Sequence, residues 1–161
     1  MGVTGQVRSE RVDFTTFVRE VEPRLLHALV AHCGPVDGRA ATVDALSWAW
    51  ENWVALADVD NKLGYLYRVG QSATRRYASR PVPGLLNVRA VEQAPDIDPG
   101  LLPALAELSE QQRTAVVLVH AFGWTQTEVA DLLDVTLSTV REHIARGLTR
   151  LRARLEVCDV S

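Results

Sequence analysis

The chain of 161 residues has little lysine, little cysteine and no long hydrophobic run. Lys62 is the single lysine among its 17 basic residues, so positive charge depends almost wholly on arginine. No apolar stretch approaches the ~18 residues that would cross a bilayer, and the opening MGVTGQVRSERVD contains no apolar signal region. We therefore expect a cytoplasmic protein without a membrane span.

Metal and catalytic motifs are also missing from the sequence. The two cysteines, Cys33 and Cys158, lie far apart, and no CxxC pair occurs. His27 and His32 lie near Cys33 but have no second ligand pair with the spacing of a zinc site. There is no phosphate-binding P-loop and no nucleophile elbow. We expect no metal, no cofactor and no enzymatic activity.

Helical periodicity runs through the chain, whereas no segment alternates with the period of a strand. A hydrophobic content of 47% is sufficient for packed cores. Residues 81–100 hold four of the seven prolines, two glycines and an excess of acidic groups, which is typical of a linker. We predict an all-α protein in which residues 1–80 and 101–161 form two small helical domains joined by linker 81–100.

Helix boundaries can be placed from caps and breakers. In the first half we predict a loose tail over residues 1–12, a helix from Asp13 that Pro23 kinks or divides, and two further helices. The further helices span Gly38–Ala57 and Lys62–Arg80. In the second half we predict helices over Gly100–Leu108, with Asp98 as its cap, and Glu110–Phe122, with Ser109 as its cap.

The stretch 125–155, TQTEVADLLDVTLSTVREHIARGLTRLRARL, predicts two helices joined by a tight turn. Thr125 and Glu128 form a capping box that starts the first helix. Asp134 is suited to a left-handed turn, and Thr136 can cap the second helix. One apolar stripe then follows the second helix: Val140, Ile144, Leu148, Leu151 and Leu155.

This layout is that of a helix–turn–helix, which places the first turns of its second helix in the DNA major groove. Arginine can bind guanine through two hydrogen bonds, whereas Glu142 would repel phosphates but could accept from a cytosine amino group. The alternative is an amphipathic helical hairpin with a solvated arginine face. The candidate DNA-binding residues are Thr136, Leu137, Ser138, Thr139, Arg141, Glu142, Ala145 and Arg146.

Charge is distributed unevenly along the chain. The formal net charge is −3, yet residues 138–156 carry five arginines against two glutamates. Few phosphates would be neutralised by such a protein, so we expect weak binding to DNA by the chain alone. A larger partner would have to supply the missing electrostatic attraction.

Residues 108–152, LSEQQRTAVVLVHAFGWTQTEVADLLDVTLSTVREHIARGLTRLR, resemble region four of a bacterial sigma factor. The resemblance implies that this half reads the minus-35 element of a promoter. Asp134 departs from the glycine usual in the turn, and Glu142 departs from a small polar residue. The matching positions are Gln112-Arg113, Glu128-Val129-Ala130, Asp134-Val135-Thr136, Thr139-Val140-Arg141 and Leu151-Arg152.

The fourth predicted helix combines arginines with Tyr65 and Tyr67, which suits either single-stranded nucleic acid or core tyrosines beside solvated arginines. ATVDALSWAWENW and NKLGYLYRVGQSATRRYASR resemble region two of the extracytoplasmic-function (ECF), sigma-70-related family. The resemblance implies polymerase binding by Asp44, Ser47 and Trp50. It further implies capture of the minus-10 element by Asp58, Asp60, Asn61, Arg68, Ser72, Arg75 and Arg76. Ser47, Trp48 and Ser72 depart from the residues common at their positions.

Taken over both halves, the resemblance implies an ECF sigma factor that directs transcription initiation. Its implied partners are promoter DNA, RNA polymerase core and, as a further candidate, an anti-sigma factor. The alternative function is a sigma-like or LuxR-like regulator that binds DNA without initiating transcription. Thr139–Ile144, TVREHI, fits the TVxxHI pattern of LuxR-type domains, although the first half argues against that family.

Overall fold

The computed structural model describes residues 3–77, 98 and 100–159 of the chain, and every regular element within them is a helix. This confirms the predicted all-α class. Much of the predicted linker, residues 81–97 and 99, lies outside the described residues. The helices are α1 (Val3–Cys33), α2 (Pro35–Glu51), α3 (Trp53–Leu56), α4 (Lys62–Tyr77), α5 (Leu101–Ala106), α6 (Glu110–His120), α7 (Gln126–Leu133) and α8 (Leu137–Asp159).

Helix α1 differs most from the expectation. It starts at Val3 instead of Asp13 and runs through Pro23 without dividing. Pro23 lies exposed on the outer side, while Phe14 before it and Leu25 after it both join the hydrophobic core. Tertiary packing on both sides of the proline thus stabilises one long helix. This packing outweighs the free-energy cost of the backbone hydrogen bond that Pro23 cannot donate.

Most other helix ends differ by a few residues. The predicted helix Gly38–Ala57 starts earlier, with Pro35 in its first turn, and breaks at Asn52 into α2 and α3. Gly100, and not Asp98, is the N-cap of α5. Asp98 nevertheless accepts the Gly100 N–H at 2.7 Å through its carboxylate. The predicted Ser109 cap is confirmed, since its hydroxyl accepts the Gln112 N–H at 3.3 Å.

The helix–turn–helix follows its local sequence closely. The capping box is present: Thr125 Oγ1 accepts the Glu128 N–H at 3.2 Å, and Glu128 Oε2 accepts the Thr125 N–H at 2.8 Å. Asp134 ends α7 in the left-handed region with φ 54°. Thr136 then accepts the Thr139 N–H at 3.2 Å and so caps α8. All three predicted turn features are therefore confirmed.

A hydrophobic cluster shared by both halves forms the core. Helix α1 lies at its centre, because it packs against α2 and α4 of the first half and against α6 of the second. Leu25 and Leu29 of α1 are fully buried, as are Leu118 of α6 and Val140 of α8 in the same cluster. The two halves therefore share one apolar interior. No helix within the described residues is both long and apolar enough to cross a bilayer.

Candidate DNA and polymerase interfaces

The first turns of α8 present a polar face to solvent. Val140 and Ile144 are buried against the rest of the helix–turn–helix, so the residues between them point outward. Ser138, Arg141 and Glu142 are exposed, and so are Thr136, Ala145 and Arg146; Leu137 and Thr139 are half-buried. All eight candidate DNA-binding residues thus lie together in the turn and on one end of α8.

Two contacts orient the charged side chains of this face. Arg141 Nε donates to Gln126 Oε1 at 3.3 Å, which links α8 to the first turn of α7. Glu142 forms an ion pair with Arg146 one turn further along α8. Glu142, which departs from the family pattern, thus has a local cation in Arg146.

Helix α8 is held in place by close packing on α6. Gly147 lies at the crossing, where an added Cβ would be 2.8 Å from Val116 Cγ2 and 3.6 Å from the Gln112 carbonyl oxygen. Arg150 Nη1 donates to Gln112 Oε1 at 3.3 Å from the next turn. The middle of α8 is thus held against α6, and α8 also packs on α7.

The candidate minus-10 residues lie on the loop before α4 and along α4 itself. Asp58 and Asp60 are exposed in the loop, and Ser72, Arg75 and Arg76 are exposed along the helix. Asn61 and Arg68 are exposed as well, but each also makes one contact with the helix–turn–helix of the second half. Asn61 Nδ2 donates to the Asp131 carbonyl at 2.8 Å, and Arg68 Nη2 lies 3.0 Å from Asp134 Oδ2.

The candidate polymerase-binding residues share an exposed face of α2. Asp44, Ser47 and Trp50 follow each other at spacings of three, and all three are exposed. Val43 and Val54 beside them are 63% and 79% exposed, which is unusual for large apolar side chains. Trp50 also packs on Phe14, with ring centroids 4.9 Å apart. Together these side chains form an exposed apolar patch, and its Trp50 rests on α1. Such a patch is typical of protein-binding sites.

Several contacts that join the halves were not predicted from the sequence. Arg24 of α1 forms an ion pair with Glu128 Oε1 at 3.0 Å and lies over the Trp124 ring at 4.5 Å. Arg113 Nη2 donates to the His32 carbonyl at 2.7 Å, at the end of α1 where a cation is favoured. These partners are too far apart in the chain for periodicity or capping rules to pair them.

Burial shifts the pKa of three titratable side chains near the core. Burial lowers the pKa of His32, and burial with nearby Asp37 raises the pKa of the Cys33 thiol to about 12. Burial likewise raises the pKa of Tyr67 to about 12. Cys33 therefore stays an unreactive thiol at neutral pH. Within the described residues, no group of three His, Cys, Asp or Glu side chains is placed to hold a metal ion.

A chain with a solvent-facing helix–turn–helix and a second helical unit packed on it belongs to the helical DNA-binding transcription factors. Residues 101–151 match the model of the family described as sigma-70, region 4. The chain is 30% identical over 165 residues to an RNA polymerase sigma-E factor of Streptomyces antibioticus, covering 95% of this chain and 90% of that protein. A sigma-E factor of Streptomyces avermitilis is also 30% identical, with 94% and 89% covered.

Two solved structures share the fold. The sigma factor RpoE of Bartonella quintana, solved with the anti-sigma factor NepR, has a TM-score of 0.61 at 20% identity, over 90% of this chain and 98% of that one. CnrH, solved with the cytosolic domain of CnrY, has a TM-score of 0.63 at 23% identity, over 91% and 90%. The chain belongs to the RNA polymerase sigma factors.

Proposed function

We propose that this protein is a non-catalytic, cytoplasmic initiation factor whose two halves divide the work of promoter recognition. The observation that carries the proposal is the set of exposed polar residues on the first turns of α8, in a chain that matches sigma-E factors over nearly its whole length. The first half, residues 1–80, binds core polymerase and the minus-10 element, and the second half, residues 101–161, binds the minus-35 element.

The polymerase contact is assigned to the exposed face of α2. Asp44 and Ser47 supply polar groups, and Trp50 supplies a large apolar surface of the kind that dominates binding energy at protein interfaces. Val43 and Val54 extend the apolar patch around Trp50. Such a patch costs solubility unless a partner covers it, which favours a protein contact over a nucleic-acid contact at this face.

The promoter contacts are assigned to two surfaces. In the second half, Arg141 provides a guanidinium suited to guanine, and Ser138 and Thr139 provide hydroxyls for phosphates or bases. In the first half, the loop Asp58–Asn61 and the exposed polar side chains of α4 track the single strand of the opened minus-10 element. One solved neighbour, RpoE, is a complex with an anti-sigma factor, so we include an anti-sigma factor among the proposed partners.

Transcription with purified bacterial core polymerase tests the proposal. With a library of random promoter fragments as template, we expect transcripts whose upstream sequences share two spaced elements. Replacing Asp44 and Trp50 by Ala should weaken binding to core polymerase by at least about tenfold, as expected for interface hot spots. Glu20→Ala, which removes an exposed carboxylate from α1, is the matched control. DNA binding with no affinity for core polymerase would instead favour the regulator.

A further inference from the structure

Gln126 lies in the first turn of α7, at a point where the local structure fixes the backbone. Thr125 before it caps the helix, and Glu128 after it completes the capping box. Val129 follows on the same side of α7 and is fully buried in the core. The side chain of Gln126 is half-buried. Its backbone is therefore held in a defined position beside the DNA-facing residues.

The side chain of Gln126 reaches Arg141 across the turn between the two helices. Arg141 Nε donates to Gln126 Oε1 at 3.3 Å. Because arginine has N–H donors and no acceptor, only the carbonyl oxygen of this amide can take part in the bond. Val140, the neighbour of Arg141, is fully buried. The bond thus joins two side chains whose backbones are both held by core packing.

The bond uses the nitrogen of Arg141 that lies nearest the backbone. It does not use the terminal nitrogens Nη1 and Nη2, which form a flat fork of donors whose direction is set once Nε is held. Guanine presents two acceptors, O6 and N7, side by side in the major groove, whereas adenine presents one acceptor beside one donor. A fork held in this way therefore favours guanine.

The other polar residues of this face discriminate less between bases. The hydroxyl of Thr139 is hydrogen-bonded within the cap of α8, and Glu142 is paired with Arg146. Ser138 carries a hydroxyl, which both donates and accepts and so suits several bases. The choice of base at this face therefore depends chiefly on the direction of the Arg141 fork.

We propose that Gln126 is a positioning residue that determines base preference: it holds Arg141 so that the two terminal nitrogens meet one guanine of the minus-35 element. This role rests on the proposed function, in which the first turns of α8 read that element. Without the bond, Arg141 samples more rotamers, loses more conformational freedom on binding guanine and turns more readily to phosphates. Gln126 acts on the choice of base through Arg141 and not by touching the base.

Gln126→Met tests this role, because methionine has a similar length and helix propensity but no carbonyl oxygen. Gln126→Glu keeps an oxygen acceptor. Gln111→Met, at an exposed glutamine of α6, is the matched control for the substitution itself.

The first measurement uses the full chain without DNA and follows the NMR order parameter of the Arg141 Nε–H bond. We expect this order parameter to fall in Gln126→Met, because the bond that restrains the guanidinium is lost. It should keep its natural value in Gln126→Glu and in Gln111→Met. An unchanged order parameter in Gln126→Met would overturn the proposal, since Gln126 would then not hold Arg141.

Base preference is measured next, with each chain bound to core polymerase at one fixed salt concentration. A duplex is selected with the complex of the natural chain, and the G·C pair at which Arg141→Ala relaxes the preference is replaced by each of the other pairs. The preference for G·C should fall about two- to tenfold in Gln126→Met, the usual range for one lost hydrogen bond. Gln111→Met should leave it unchanged. In a chain that already carries Arg141→Ala, Gln126→Met should cause no further loss.

Gln126→Glu separates positioning from general affinity. Its carboxylate still accepts from Arg141 but repels phosphates, so we expect a natural preference for G·C together with weaker binding to every duplex. Loss of the preference in this variant would contradict the role of the acceptor oxygen.

The remaining outcomes distinguish this role from the proposed function. Unchanged preference in Gln126→Met would overturn the role and leave the sigma function standing. A stronger preference would also overturn it, because Gln126 would then compete with guanine for Arg141. If Arg141→Ala relaxes the preference at no pair, Arg141 reads no base and the role is wrong. Failure of the proposed function would appear earlier, since the natural chain would then select no duplex with core polymerase.

Discussion

Single side chains in this protein serve more than one contact, and Glu128 is the clearest case. Its Oε2 completes the capping box with Thr125, while its Oε1 pairs with Arg24 of the other half. The backbone and hydroxyl hydrogen bonds from Thr125, followed by Arg24, hold the pKa of Glu128 below its ordinary value. The local cap predicted from the sequence is thus also an anchor between the halves.

At the same scale, Arg141 should determine base preference. It lies in the first turns of α8 and is oriented by Gln126, so Arg141→Ala should cost roughly 1–3 kcal/mol of binding and relax the preference for one base pair. The measured quantity is the relative affinity of duplexes that compete for the complex of this protein with core polymerase. The duplexes are first selected for binding to the same complex. Arg152, exposed three turns further along α8, serves as the control: its replacement by Ala should weaken binding to all duplexes alike. Equal preference before and after Arg141→Ala would contradict the assigned orientation of α8.

At the scale of elements, the crossing of α1 and α2 depends on the absence of a side chain. A Cβ at Gly38 would lie 2.7 Å from both the Cα and the backbone nitrogen of Val30. Backbone atoms cannot rotate away as a side chain can, so Gly38→Ala must push the two helices apart. Thr42, buried one turn later, bonds the Gly38 carbonyl at 2.7 Å and ties the same turn together.

We therefore expect Gly38→Ala to lower the free energy of unfolding by about 1–3 kcal/mol, the usual cost of overpacking. Chemical denaturation followed by circular dichroism measures the change. Gly5 is the control within a helix, because nothing lies within 4 Å of the Cβ position there. Gly5→Ala should be neutral or stabilise by up to about 1 kcal/mol. Equal effects at the two positions would show that the close crossing is not what requires glycine.

At the scale of the whole molecule, the shared core connects halves that the sequence presents as separate domains. Leu25 of α1 and Leu118 of α6 are both fully buried in one cluster. Because α1 contributes to the interior of both halves, loosening it removes apolar contacts from each. The two packed halves should therefore unfold as one cooperative unit.

Tryptophan positions allow a test of that cooperativity. Trp48, Trp50 and Trp53 report on the first half, and Trp124 is the single tryptophan of the second. In a Trp124→Phe variant, thermal unfolding followed by fluorescence reports the first half alone, whereas circular dichroism reports all helices. We expect the two transitions to coincide. Two transitions at different temperatures would mean that the halves unfold independently and that the shared cluster contributes little to stability.

The sequence by itself determined the features that depend on neighbours within a turn or two. The capping box at Thr125, the left-handed Asp134 and the apolar stripe from Val140 are local, since each rests on spacings of a few residues. Their physical basis, hydrogen bonding at helix ends and burial of one helix face, acts wherever the segment lies. For the same reason, the residues of the polar face of α8 could be predicted from the sequence.

Only the tertiary structure decided which distant segments of the chain contact each other. Helix α1 runs through Pro23 because residues on both sides of the proline pack into the core, which no local rule anticipates. Asn61 and the Asp131 carbonyl are 70 residues apart, and Arg113 and the His32 carbonyl are 81 apart. Such pairs join polar groups of unrelated segments, and no periodic or capping rule links one partner to the other. Their meeting depends on how the two halves pack around α1, so it emerges only when the whole chain is folded.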